Sequence, residues 1–215
     1  MKKIIVMCLT LCISLCANAQ ATDLVVDCQT PGWLSSKINY GDQQTVKNLK
    51  VTGYINRTDI NFIGSLTKYS LNGTIDLSEV TIIENTWNGS FHPDNYSDDQ
   101  CCHLQKLVLP TNLNSYCEQY LLNEVDTLIF ETQITCIENQ FHRGIGHLQL
   151  GENVDSINCQ LGYYNNINSI YLPKSLKYIK TEGFYNLISD LTNTNISLSK
   201  YGITKKPMMI NLILC

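Results

Sequence analysis

LQKLVLPTNL (Leu104–Leu113) and INSIYLPKSL (Ile167–Leu176) share one layout: an apolar residue, two spacers, an apolar residue, one spacer, Leu-Pro, two spacers and Leu. They start 63 residues apart, and the interval between them is filled by the same pattern. Leu104, Leu107, Leu109, Leu113, Tyr116 and Tyr120 recur 21 residues on as Val125, Leu128, Phe130, Ile134, Ile137 and Phe141. After 20 more come Ile145, Leu148, Leu150, Val154, Ile157 and Leu161. After 22 more come Ile167, Ile170, Leu172, Leu176 and Ile179, with Phe184 one residue late. Periods of this length are those of leucine-rich repeats, whose units cannot cover their own apolar flanks and are stabilised by stacking.

Within a copy, Leu107-x-Leu109 alternates as a strand does. Pro110 and Pro173 end the strand because proline has no N–H to give to a ladder. The later spacing of three then four, Leu113…Tyr116…Tyr120, suits a short helical turn. The expected fold is therefore a repeat solenoid of 20–22-residue coils, with strands on one face and short strands or helical turns on the other.

The stretches LQKLVLPTNLNSYCEQY, VDTLIFETQITCIENQF and INSIYLPKSLKYIKTEGF resemble the BspA-like leucine-rich repeats of secreted Bacteroides-type proteins. That pattern often places Ala-Phe near the coil end and a Cys soon after; here Gln140-Phe141 and Gly183-Phe184 keep only the Phe. The resemblance extends to NLKVTGYINRTDINFI (Asn48–Ile63) and TIDLSEVTIIENTW (Thr74–Trp87), and implies a small N-terminal cap over residues 20–73. VDCQTPGWLSSKI would cover its open end, Thr58-Asp59 would cap a helix over Ile60–Leu66, and Ile75, Leu77, Val80, Ile83 and Trp87 would form the first coil. The solenoid would then span 74–195, interrupted by the loop 88–102 (NGSFHPDNYSDDQCC). In residues 196–215 the repeat is lost, as in a poor cap or the end of a truncated gene.

Lys2 and Lys3, an apolar run from Ile4 to about Cys16 and the small-x-small site Ala17-Asn18-Ala19 read as a secretory signal cleaved near Ala19. A lipoprotein signal at Cys16 is the alternative, opposed by bulky Leu15. No later stretch reaches 18 uninterrupted apolar residues, so no transmembrane segment is expected in the mature chain. Without the signal, 13 basic residues face 19 acidic ones and the only basic cluster is Lys205-Lys206, a balance that speaks against nucleic-acid or anionic-membrane partners. Seven cysteines remain, an odd number without a framework spacing. Cys117, Cys136 and Cys159 read as small buried residues, and one of Cys101-Cys102 could bridge to Cys28 or Cys215.

No GxSxG, HExxH, P-loop or GxGxxG motif occurs, and no metal or other cofactor is expected. His142 and His147 flank RGIG in what reads as a solvated turn, and the loop HPDNYSDDQCCH is the only mixture of His, Asp and Cys. Asp126-Thr127-Leu128 and Asp155-Ser156-Ile157 match the Asp-Ser/Thr-apolar motif that carries O-glycans in exported proteins of the resembled kind. Stacked coils would align Asp76, Val108, Ile129, Gln149 and Tyr171 in one outward row, beside Lys106, Thr127, His147 and Ser169. Val108, Ile129 and Tyr171 would make an exposed apolar stripe of the sort that marks an interaction site. Equally, such residues simply favour strands. The expectation is a secreted or cell-surface, non-catalytic recognition protein using Val108, Ile129, Gln149 and Tyr171 for a protein or glycan ligand. Host attachment is what the resemblance implies. A structural spacer and a hydrolase working from the 88–102 loop are the alternatives.

Overall fold

In the computed structural model, which describes residues 22–68, 70–83, 86–87, 103–116, 124–138, 144–159 and 167–179, the repeated stretches become neighbours. The elements run β1 (Thr22–Cys28), α1 (Leu34–Lys37), α2 (Tyr40–Thr45), β2 (Val46–Ile55), α3 (Arg57–Leu66), β3 (Thr74–Asp76), β4 (Val80–Ile82) and β5 (Thr86–Trp87). They continue as β6 (His103–Val108), β7 (Ser115–Tyr116), β8 (Glu124–Phe130), β9 (Cys136–Ile137), β10 (Ile145–Leu150), β11 (Ser156–Ile157), β12 (Ile167–Tyr171) and β13 (Tyr178–Ile179). The described residues are thus mostly parallel sheet with few helices, an architecture compatible with a repeat or an α/β fold.

The main sheet has the order β1-β2-β3-β6-β8-β10-β12, with β4 also on β2. All its pairings are parallel. Its register follows the sequence period: Ile75, Leu107, Leu128, Leu148 and Ile170 are successive partners. Each is at most 2% exposed, as are Leu77, Leu109, Phe130, Leu150 and Leu172 two residues further along. Phe130 is the largest of the fully buried side chains, so the core is a series of like-with-like columns under the sheet. Strands β6 and β12 stop before Leu109-Pro110 and Leu172-Pro173, and both prolines are buried.

Behind the strands the chain turns the same way several times. The carbonyls of Leu77, Pro110, Gly151 and Pro173 accept the N–H three residues on, from Val80, Leu113, Val154 and Leu176. In the remaining copy the Thr132 hydroxyl accepts the Ile134 N–H. A side chain in three of these turns then reaches back to the previous one: Asn112 Nδ2 donates to the Ile82 carbonyl, Asn153 Nδ2 to the Thr132 carbonyl and Ser175 Oγ to the Val154 carbonyl. These spacer residues satisfy carbonyls that the short turns would otherwise orphan.

The far side is extended rather than helical. β5 pairs with β7, and β9, β11 and β13 form a three-stranded parallel sheet. The Thr135 carbonyl accepts from Asp155 and Ser156, and the Asp155 carbonyl from Lys177 and Tyr178. The helical turn expected from the spacing of three is therefore corrected at Leu113–Tyr116: the Leu113 carbonyl accepts from Gln133 of the next segment, and Ser115 and Tyr116 pair with β5. The same reason corrects the first copy. β4 is extended, so Val80 and Ile82 point inward, and Ile83, expected inside, is 52% exposed.

At the N-terminal end, α3 buries Ile60, Ile63 and Leu66. Its N-cap is Asn56, not Thr58-Asp59: Asn56 Oδ1 accepts from Thr58 and Asp59, and Asp59 closes the capping box from the third helical position. Asp59 is itself 1% exposed. Its carboxylate accepts the N–H groups of Gly32 (2.5 Å), Leu34 (2.9 Å) and Asn56 (3.0 Å), tying α3 to the loop after β1. Gly53 permits the close β1–β2 approach: its φ is +88°, and a Cβ there would lie 2.4 Å from the Cys28 carbonyl oxygen.

Cys28 is a free, fully buried thiol, not half of the bridge to Cys101-Cys102 that its position allowed. Burial, and then the nearby Asp59 charge, push that thiol above its ordinary pKa. Cys159 is buried, whereas Cys136 is only half-buried and accepts from Asn158 Nδ2. Residues 1–19, 88–102 and 196–215, and with them the signal, the interrupting loop with His92, Cys101 and Cys102, and the tail, lie outside the described residues, as do Cys117 and His142.

Candidate functional site

The strand face carries the site because the pleat sends alternate side chains to opposite sides. Between buried Leu107 and Leu109 stands Val108, and the register sets Val108, Ile129, Gln149 and Tyr171 side by side on β6, β8, β10 and β12. The row continues through Asp76 and Lys50 to Val25, the last 72% exposed. Lys106, Thr127, His147 and Ser169 form the adjacent row. His147 therefore lies within β10, not in a solvated turn, and its Nδ1 is 2.6 Å from Ser169 Oγ. Regular pairing of β10 with β8 and β12 on both sides holds it there.

The four predicted residues are half-buried, which corrects the expected freely exposed stripe. Two of them are also hydrogen-bonded. Gln149 Nε2 donates to Glu131 Oε1, and Tyr171 OH donates to Glu152 Oε1 at 3.4 Å. Neither glutamate was singled out by sequence reasoning. The available signal was their place in the turns that follow the strands, one residue after the buried Phe130 and two after the buried Leu150.

Those turns and strand ends enclose an open cleft of ≈ 550 Å³. Glu131, His147, Gln149, Glu152, Asn153 and Tyr171 supply its functional groups, and among the described residues no Lys or Arg lines it. At the other end of the row, Lys50 Nζ lies 2.5 Å from Glu79 and 3.8 Å from Asp76. The hydrogen bond that Lys50 donates to the Glu79 carboxylate raises the Lys50 pKa. Burial alone would raise Asp76; the hydroxyl and N–H of Ser78 and the charges of Lys50 and Lys106 outweigh it and hold the carboxyl below the usual range. The row thus grades from a balanced ion-pair cluster, through apolar Val108 and Ile129, to an acidic, aromatic cleft.

Other groups are dispersed. His103 Nε2 is 2.9 Å from Asp126 at the opposite end of the strands, where both are exposed. Thr127 and Ser156, the hydroxyls of the two glycan-type motifs, lie in β8 and β11, and Ser156 Oγ is 3.0 Å from Asp155. Among the described residues, no three His, Cys, Asp or Glu side chains are placed to share a metal ion. Likewise, no helix among them is long and apolar enough to cross a membrane.

Compared with protein-family models, with curated proteins and with solved structures, the chain matches none.

Proposed function

We propose that this chain is a leucine-rich repeat protein of the BspA-like type, a solenoid exported to the cell surface or medium that recognises a protein or glycan without catalysis. Its binding surface is the row Val108, Ile129, Gln149 and Tyr171, and host attachment is the role that the family resemblance suggests. The observation that carries this reading is the register: four residues from four strands, up to 63 positions apart, stand in one row. Parallel strands set such side chains about 4.8 Å apart, giving a strip with few charges that ends in a cleft. An aromatic at such a place is a favoured anchor. The test is capture of host matrix proteins and glycans by the mature chain, followed by Tyr171→Ala and Ile129→Asp. Loss of capture with the fold retained supports the reading; unchanged capture by both variants refutes it. A spacer role is the second reading, supported by the half-burial of the row and the internal hydrogen bonds of Gln149 and Tyr171.

A further inference from the structure

We propose that the cleft at the C-terminal ends of β10 and β12 holds an arginine side chain of a protein partner, with an apolar residue of the same segment resting on Ile129. This inference deepens the strand-face reading and rests on it. Three observations define the occupant. The cleft has the room, at ≈ 550 Å³ and open to solvent. Its polar groups are also unbalanced. The Gln149 amide and Tyr171 hydroxyl already donate to Glu131 and Glu152, and Asn153 Nδ2 donates to the Thr132 carbonyl. Each carboxylate keeps its Oε2 without a hydrogen bond among the described residues. Among its described lining residues, which include no lysine or arginine, the cleft offers chiefly acceptor capacity and negative charge, beside the ring of His147.

A ligand must therefore bring donors and positive charge. A guanidinium brings five N–H donors in a planar fork matched to carboxylates. It also stacks on aromatic rings, and Tyr171 is the aromatic side chain of the lining. A neutral sugar would bring donors but no positive charge to balance two carboxylates, and an anion would be repelled. The third observation is continuity. Ile129 is the row neighbour of Gln149, about 4.8 Å away. An extended segment advances about 3.3 Å per residue, so an apolar residue two positions before the arginine reaches Ile129.

The test titrates the isotope-labelled full chain with acetyl-Ile-Ser-Arg-amide and with its citrulline counterpart, following backbone amides by NMR. Saturable shifts are expected at Gln149, Gly151 and Tyr171 with the arginine peptide alone. Glu131→Gln and Glu152→Gln should each weaken binding at least about fivefold, as should added salt. Glu138→Gln, at an exposed position beyond β9, should not. No saturable shift, or equal affinity for the citrulline peptide or for both cleft variants, overturns the proposal. A neutral oligosaccharide that needs Tyr171 but neither glutamate also overturns it, while leaving the strand-face reading in place. A captured ligand indifferent to Tyr171 and Ile129 overturns that reading itself.

Discussion

Replacing Asp59 with Asn probes how the N-terminal region is fastened. The carboxylate is 1% exposed and accepts three backbone N–H groups, Gly32 and Asn56 on Oδ2 and Leu34 on Oδ1. An asparagine has one acceptor oxygen. Set at the Oδ2 position, it keeps two bonds, now to a neutral acceptor, and turns its NH2 toward the Leu34 N–H, donor against donor. A hydrogen bond to a charged group contributes about 1.5–3 kcal/mol, and a buried donor left unpaired costs about 1–3 kcal/mol. The expected destabilisation is therefore about 3–5 kcal/mol, a large share of a typical domain's 5–15 kcal/mol. Asn56→Ala, which removes the helix cap and leaves the clamp on Gly32 and Leu34, should cost only about 1 kcal/mol. Urea denaturation followed by circular dichroism reads both. A loss below about 1 kcal/mol for Asp59→Asn, or a larger loss for Asn56→Ala, would refute the reasoning.

Further outcomes follow from the core and the row. Leu150→Ala truncates a side chain that is 1% exposed in the column with Phe130 and Leu172, and should cost about 2–5 kcal/mol; an unchanged denaturation midpoint would contradict the register. Asp76, held below the usual carboxylate range, stabilises the fold above its unfolded pKa of about 3.9 and loses that contribution as pH falls through its lower folded value. The parent should thus be more stable than Asp76→Asn near neutrality, and the gap should narrow as pH falls below the unfolded value of about 3.9; a gap independent of pH would exclude the linkage.

The strand columns were legible because period and alternation report the same thing: Leu107, Leu128, Leu148 and Ile170 had to share an environment, and they pair in register. The far side was less so. A spacing of three fits a helical turn or a turn leading into a short strand, and only hydrogen bonds from the neighbouring segment decide between them. Ile83 was misplaced for that reason. The reaching side chains of Asn112, Asn153 and Ser175 occupy positions that pattern reading treats as spacers, since their partners lie 21 or 30 residues away. Asp59 was recognised as a capping residue, but its hold on Gly32 and Leu34 across 27 and 25 residues has no local signature. In the candidate site, the row followed from the period. The cleft did not, because Glu131 and Glu152 acquire meaning only once the turns bring them beside Gln149 and Tyr171.

The central claim is that the strand face recognises a partner through Val108, Ile129, Gln149 and Tyr171. Its most direct test is the affinity of the mature chain for a ligand captured from host matrix proteins and glycans, compared with that of Tyr171→Ala and Ile129→Asp. The account predicts that each variant keeps the parent's circular dichroism spectrum and loses about tenfold or more in affinity, the scale of a buried anchor residue. Parent-like affinity in both variants would contradict it.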